Sequence, residues 1–273
     1  MSNKKKLFAV HVALIFGAAL MVGPFIWMIL TAFKTVGEAT AVPPILLPSS
    51  WKLENFKEAL NLAPFVSFYK NTILMTIGRV LGQLVFCSLA AYALARIDFA
   101  GKNFIFMLIL SVLMVPSQIF IIPQYMIMNR LGLLDTIWAL FIPGMFSGFG
   151  TFLLRQFFMS LPKPLEEAAR LDGCNHFQIY WKVMLPLARS GMVALSILTI
   201  IWSWNDLLWP MIANNSMKML TLSAGLATFQ GQFFTNFPVL MAGALLAIWP
   251  LLLIFVIFQC QFIEGIALSG TKG

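Results

Sequence analysis

Long apolar segments separated by short polar ones make up most of this chain. Each apolar segment is close to or above the roughly 20 residues that an α-helix needs to cross the hydrocarbon core of a bilayer. The pattern predicts six transmembrane helices, at residues 7–33, 71–95, 104–128, 137–154, 191–212 and 239–263. We therefore expect an all-α, multi-pass membrane protein whose residues 1–273 form a single transmembrane domain.

The polar segments indicate how these helices are oriented. The N-terminus, the turn 96–102, the segment 159–190 and the C-terminus together carry ten Lys and Arg residues, whereas the short outer loops carry only two. Because Lys and Arg concentrate in cytoplasmic loops, we expect both termini and the segment 159–190 to be cytoplasmic. The segments 34–70 and 214–238 are then external.

The composition agrees with a membrane protein and excludes other classes. Of the 273 residues, 60% are hydrophobic and 10% are charged, against about 45–50% apolar residues in soluble domains. The net charge of +8 does not indicate nucleic-acid binding, because the basic residues are spread over the loops that orient the helices. The three cysteines are scattered, so neither a disulfide framework nor a metal site is expected.

The cytoplasmic segment 159–190 is the most charged part of the chain and predicts two short helices. Ser160 can cap the first helix, Pro164 suits its first turn, and Glu166 and Glu167 lie near its positive N-terminal end. Gly173 is placed to end this helix.

A second helix follows the glycine turn. Asn175, with Gln178 three residues later, forms a variant of the capping box that starts it, and Leu185-Pro186 is predicted to stop it. The segment therefore reads as helix, glycine turn, helix.

The spacing of residues in this segment resembles that of a known family. Glu167-Ala168-Ala169 is followed after three residues by Gly173, and nine residues later by the run 183–186, VMLP. This pattern resembles the EAA loop of permease subunits in bacterial binding-protein-dependent ABC importers. The alternative from the residues alone is an amphipathic helix pair lying on the bilayer, although such helices favour a large apolar face and a basic polar face.

The resemblance implies the type I importer permease fold, a location in the bacterial cytoplasmic (inner) membrane, and coupling to a separate ATPase dimer. It implies that Glu167 is the polar contact to the ATPase and that Ala168 and Ala169 form a close-packing surface. The residues that it assigns to ATPase coupling are Glu166, Glu167, Ala168, Ala169, Arg170, Asp172, Gly173, Leu185 and Pro186.

The same resemblance implies three partners besides the ATPase. They are a second permease subunit, an extracytoplasmic solute-binding protein and membrane lipid. The chain contains no G-x-x-x-x-G-K-[ST] loop. We therefore expect it to bind no cofactor, and ATP and Mg to be bound by the partner ATPase.

Polar residues within the predicted spans are candidates for the translocation path. The fifth span carries WNDLLWP, which resembles a pattern of carbohydrate permeases of the maltose-type class; the alternative is an interfacial aromatic belt. Arg79 either snorkels to the outer interface, which is the simpler interpretation, or lines the pore. Asp206 has no charge partner nearby in the sequence. The candidates are Arg79, Gln118, Gln124, Trp204, Asn205 and Asp206.

The outer segment 214–238 resembles the loop that, in the maltose-type class, reaches into the sugar-binding protein. The residues implied in that contact are Phe229, Gln230 and Gln232, and the alternative is a re-entrant or surface loop. Together these features predict a sugar or oligosaccharide permease subunit, with a permease for a non-sugar solute such as a polyol phosphate as the alternative. An intramembrane enzyme is not favoured, because the two histidines lie near the cytoplasmic face and form no nucleophile-base pair.

Overall fold

The computed structural model describes residues 2–231 and 234–270, with side chains from residue 7 to 259 except residue 9, and most of these residues are helical. The helices are α1 (Ser2–Ala32), α2 (Val36–Ala39), α3 (Glu54–Leu62), α4 (Phe65–Arg96), α5 (Lys102–Leu113), α6 (Ile121–Arg130), α7 (Ile137–Phe141), α8 (Gly148–Ser160), α9 (Lys163–Leu171), α10 (His176–Ile179), α11 (Leu185–Leu187), α12 (Arg189–Trp204), α13 (Leu208–Ala213), α14 (Leu222–Ala227) and α15 (Phe237–Gly270). Short 3₁₀ turns occupy Ser117–Phe120, Ile142–Gly144 and Met217–Met219, and a π-helical turn occupies Tyr180–Met184.

The apolar helices account for the six predicted spans. Three are long enough to cross a bilayer alone, within α1, α4 and α15. Three further candidates are pairs of helices bent by 101°, 44° and 75°, which raise the number to six when each pair is one span. The all-α prediction is confirmed, and the placement of both termini in the cytoplasm stays a prediction.

Several predicted boundaries were wrong. The second span begins at Phe65, so the last residues of the predicted external segment 34–70 already belong to α4. The third span is two helices that meet near Pro116 at 101°. A proline has no N–H to donate, so the helical ladder is interrupted there. The fifth span ends at Trp204 and resumes as the separate helix α13.

The chain divides into two compact units, and each is considered by itself. The first comprises residues 1–65 and 225–250. Within it the ring of Phe33 packs against Trp51 and Phe56. The buried Lys34 ammonium donates to the Ile45 carbonyl at 2.6 Å and lies 4.0 Å from the ring centroid of Trp27. These contacts fix the segment that follows α1. The prediction of a single domain stays a prediction.

The second unit comprises residues 66–224 and 251–273. One core cluster of this unit joins the second half of α4 to α8, to α9 and α10, and to α12. The core residues are Cys87, Ala91, Tyr92, Leu154, Phe158, Ala169, Ile179, Tyr180, Met184, Ala188 and Leu195. The segment with the EAA motif is therefore packed onto membrane helices.

Candidate functional site

The helix of the EAA motif, α9, begins at its prolines. Pro162 occupies the N-cap position and Pro164 lies in the first turn, where the missing N–H has no helical partner to lose. The prediction that Ser160 caps α9 was wrong. The Ser160 hydroxyl donates instead to the Phe157 carbonyl at 2.8 Å, because Ser160 is still the last residue of α8.

Gly173 ends α9, as predicted. Its φ of +81° is left-handed, a conformation that glycine adopts without the steric cost of a Cβ. The Gly173 N–H donates to the Arg170 carbonyl and the Cys174 N–H donates to the Ala169 carbonyl, each at 3.0 Å. These two bonds form a Schellman motif, which satisfies two of the carbonyls that a helix end leaves free.

The second helix of the segment starts as predicted and ends later. The side chains of Asn175 and Gln178 each accept from the other's main-chain N–H at 2.9 Å, which completes the capping box. Pro186 does not stop the helix. It lies in the first turn of α11, a position that tolerates proline, and the helical path bends by 75° only after Leu187.

One side of α9 faces the rest of the protein. Glu166 is 6% exposed; its carboxylate lies 3.1 Å from Arg170 and 4.0 Å from Arg96 at the end of α4. Arg96 also donates to the carbonyls of Phe158 and Leu161. A carboxylate that leaves water requires such partners. Glu166 therefore anchors α9 to the membrane helices and does not project into solvent. Ala169 is buried on the same side of α9.

Tyrosine side chains continue this anchor into the membrane. The Tyr180 hydroxyl is 2.7 Å from the hydroxyl of Ser88 on α4. The Tyr92 ring, also on α4, lies 5.4 Å from the ring of Tyr180 and 5.8 Å from that of Phe158. Aromatic pairs at these separations stabilise a contact beyond the area that they bury.

The other side of α9 is open. Glu167 and Ala168 are exposed, as are Arg170 and Asp172. Leu171 is 90% exposed, and Phe177 and Trp181 on the second helix are 65% and 60% exposed. Sequence reasoning missed these three apolar side chains. Their exposure in a segment otherwise rich in charge is typical of a protein contact surface.

A second polar site lies where the fourth span is broken. Pro143 has no N–H for the Ala139 carbonyl, and the chain there adopts a 3₁₀ turn before α8 begins. Several carbonyls are thereby left without helical partners at membrane depth, where each must find another donor. The Trp209 indole of α13 donates to the Ala139 carbonyl at 2.8 Å.

Arg79 donates to the carbonyl of the next residue, Leu140, and forms an ion pair with Asp206. Its Nε and Nη2 donate to the Leu140 carbonyl at 3.0 and 2.7 Å, and its Nη1 lies 2.8 Å from Asp206 Oδ2. The two side chains are 11% and 21% exposed. The snorkelling interpretation of Arg79 was therefore wrong, and Asp206 does have a charge partner. A buried arginine is stable here because both its charge and its donors are matched.

Gln83, one turn further along α4, makes the third contact. It donates to the Gly144 carbonyl and accepts from the Thr199 hydroxyl of α12, both at 2.9 Å. Gly82 allows this approach, because a Cβ there would lie 2.5 Å from the Cβ of Met145. Sequence reasoning missed Gln83 and Thr199. The available signal was the i, i+4 spacing of Arg79 and Gln83, which places both on one helix face.

The amide side chains of Gln118, Gln124 and Asn205 do not join this network. Among the described residues, the side chains of Gln118 and Gln124 make no hydrogen bond or ion pair. They follow the bend at Pro116. The exposed amide of Asn205 donates to the Ile201 carbonyl of its own helix at 2.9 Å. Trp204 is 7% exposed.

The outer segment is anchored at both described ends. In the second unit, Asn71 donates to the carbonyls of Lys218 and Leu220 at 2.8 and 2.9 Å. In the first unit, the ring of Phe229 packs against Phe65 with centroids 6.1 Å apart. Gln230 is exposed. Gln232, the third residue that we predicted to contact a binding protein, lies outside the described residues.

The helix α9 thus has one exposed side and one side packed on membrane helices. Among residues 2–231 and 234–270 no group of three His, Cys, Asp or Glu could hold a metal ion. The sequence profile described as "Binding-protein-dependent transport system inner membrane component" matches residues 83–265. The chain belongs to this family. It is therefore a permease of the inner membrane, a transporter subunit that works with an ATPase and a solute-binding protein, and not an enzyme.

Individual permeases are similar along almost their whole length. The arabinooligosaccharides transport system permease protein AraQ of Halalkalibacterium halodurans is 36% identical, over 94% of each chain. The sn-glycerol-3-phosphate transport system permease protein UgpE of Brucella abortus is 31% identical, again over 94% of each. A crystal structure of a bacterial ABC transporter involved in the import of the acidic polysaccharide alginate contains a chain with a TM-score of 0.81 at 25% identity, covering 95% of this chain and 98% of that one.

Proposed function

We propose that this permease imports a sugar or oligosaccharide delivered by an extracytoplasmic binding protein, and that α9 is the helix through which an ATPase dimer drives it. The observation that carries the proposal is the two-sided environment of α9. Its inner side is fixed to α4 by Glu166, while Glu167, Ala168 and Leu171 are exposed. A partner bound to the outer side would move α9 and the membrane helices together.

The path of this movement follows α12. It begins at Arg189, directly after the short helix α11, and it carries Thr199, with Asp206 just beyond its end. We propose that ATP and Mg, bound by the ATPase and not by this chain, close the ATPase dimer and displace α9. The displacement then changes how α12 packs on α4 and the broken fourth span.

A charge reversal on the exposed side tests the coupling. Glu167→Lys should lower recovery of the ATPase with the purified importer, and ATP-dependent uptake, by about tenfold or more, since a lost charge-assisted contact costs roughly 1.5–3 kcal/mol. Glu58→Lys, an exposed carboxylate of the external segment, is the matched control and should change neither. Unaltered ATPase recovery with Glu167→Lys would favour a helix that lies on the bilayer.

The cargo is proposed from the relatives and from the charge of the polar site. Relatives named for arabinooligosaccharides support a carbohydrate. The relatives named for sn-glycerol-3-phosphate favour a polyol phosphate as the second candidate. Arg79 already has Asp206 as its counter-ion, so its charge is matched without a phosphate. This favours a neutral cargo.

For the translocation path we propose the amides of Gln118, Gln124 and Asn205, and we assign Arg79 and Asp206 a positioning role beside them. A second permease subunit completes the path, and Phe229 and Gln230 are proposed to meet the binding protein. Proteoliposomes that contain the complete importer and its binding protein should take up labelled oligosaccharide in preference to labelled sn-glycerol-3-phosphate. The reverse preference would establish the second candidate.

A further inference from the structure

A cavity of about 470 Å³ opens where α4 ends, α5 begins and the last turns of α8 pass beside them. It lies at the predicted cytoplasmic end of these helices, and its lining includes Arg155, Lys102 and Asn103. Neither the coupling surface of α9 nor the polar network around Arg79 uses these residues. The cavity is therefore a separate feature of the second unit.

Arg155 is held in place at this cavity but keeps donors free. Its Nε donates to the Leu94 carbonyl at 3.2 Å, and its guanidinium carbon lies 4.0 Å from the ring centroid of Phe106. Among the described residues its two terminal nitrogens make no hydrogen bond or ion pair. A fixed guanidinium with free donors is suited to bidentate contact with a phosphate.

Lys102 provides a second cation. Its side chain is 18% exposed and its ammonium lies 3.2 Å from the carboxylate of Asp98, whose own side chain is fully exposed to solvent. Asp98 therefore offsets one of the two positive charges and leaves the lining with a net charge of +1. Asn103 adds an amide donor at the same edge.

Apolar side chains adjoin this basic cavity. Phe104 and Met159 also line it, and they are 61% and 50% exposed. Leu108 lies one helical turn from Phe104 and is 51% exposed. A basic cavity at the membrane surface beside exposed apolar side chains matches the two parts of a phospholipid, its phosphate and its acyl chains.

We propose that this cavity binds the phosphate group of an anionic phospholipid of the cytoplasmic leaflet, with Arg155 and Lys102 as its cationic ligands. The proposal rests on the predicted orientation and on membership of the permease family, and it does not depend on the cargo. Free inorganic phosphate offers the same anionic oxygens to Arg155 and Lys102, but it has no acyl chain to cover Phe104 and Leu108.

The test measures lipid bound to the intact importer. The complex is purified into nanodiscs of phosphatidylcholine containing one part in ten phosphatidylglycerol, and the phosphatidylglycerol retained after transfer to detergent is counted by native mass spectrometry. The expected result is retention by the wild-type complex and about fivefold weaker retention with Lys102→Gln, because each basic residue near the surface contributes about 1 kcal/mol. Lys102→Glu should abolish it.

Controls distinguish binding of the anionic lipid at this cavity from binding to any exposed cation, of any phospholipid or of free phosphate. Arg189 is an exposed cation of the same predicted side, and Arg189→Gln should retain lipid as the wild type does. At Arg155, which packs on Phe106, the variant used is Arg155→Lys, because it keeps the positive charge. Equal retention by the wild type and Lys102→Glu would overturn the proposal. So would equal retention of phosphatidylcholine, or displacement of the lipid by millimolar inorganic phosphate. Because no arm measures uptake, failure here would leave the proposed transport function intact.

Discussion

Neutralising Asp206 should destabilise the importer because Arg79 would then remain charged without a partner. The two groups are 2.8 Å apart, and both side chains are largely buried. In Asp206→Asn the arginine keeps its two bonds to the Leu140 carbonyl but loses its counter-ion. The ion pair that is lost joins the turn between α12 and α13 to α4.

The expected size follows from the burial of the pair. Removing one partner of a buried ion pair costs about 3–5 kcal/mol. Asp206 is 21% exposed, so water offsets part of this cost, and we expect about 3 kcal/mol. Replacing both residues, Arg79→Met with Asp206→Leu, should recover about 2 kcal/mol of that loss, since apolar replacement of a buried pair is often neutral.

The assay is a double-mutant cycle of Arg79→Met, Asp206→Leu and the two together, with Asp206→Asn measured beside them. Thermal unfolding of the detergent-purified importer is monitored as the fraction that stays a single species on size exclusion. Glu58→Gln removes an exposed carboxylate of the external segment and should leave the curve unchanged. A coupling energy below about 0.5 kcal/mol would mean that the two residues act independently and would refute the reasoning. Loss of uptake in Asp206→Asn with unchanged unfolding would instead place Asp206 in contact with the solute.

Three further outcomes follow from local geometry. Gly173→Ala should cost about 1 kcal/mol and weaken ATPase recovery, whereas Gly132→Ala, with a φ of +67° on the outer side, should cost the same in thermal unfolding and leave recovery unchanged. Trp209→Phe removes the indole donor from a main-chain carbonyl of α7 and should lower thermal stability by about 1–2 kcal/mol, while Trp181→Phe, an exposed ring, should not. Hydrogen bonds from Ser49 and Thr35 lower the pKa of Glu38 to about 2, so the capping contact is fully present above about pH 4.5 and is lost as pH falls through 2. The hydrogen-exchange protection of the Thr35 and Ser49 amides, taken relative to their intrinsic exchange rates at each pH, should therefore fall between pH 4.5 and 2, and Glu38→Gln should abolish that pH dependence.

Local chemistry was predictable from the sequence. The end of α9 at Gly173 and the capping box of Asn175 and Gln178 depend on residues within a few positions of each other, and both predictions were confirmed. The segments apolar enough to cross a bilayer were also predictable, because apolar length determines them; three of these six are bent pairs of helices.

Contacts between distant residues were not predictable. Arg79 and Asp206 are separated by the whole of the third and fourth spans, so no spacing rule connects them. Glu166 and Glu167 are adjacent and chemically alike, yet one is buried against Arg96 and the other is exposed. Only the packing of α9 on α4 determines which of the two carboxylates is buried and which is exposed.

The contact made by Arg96 determines what could be transplanted between permeases. Arg96 binds the end of α8 through two carbonyls and reaches Glu166 of α9, so these three helix ends share one side chain. A chimera that exchanges residues 163–171 alone would bring Glu166 into a host without guaranteeing its cation. An interchangeable module has to include the end of α4 with the coupling helix, so the natural boundary for exchange lies inside the membrane domain.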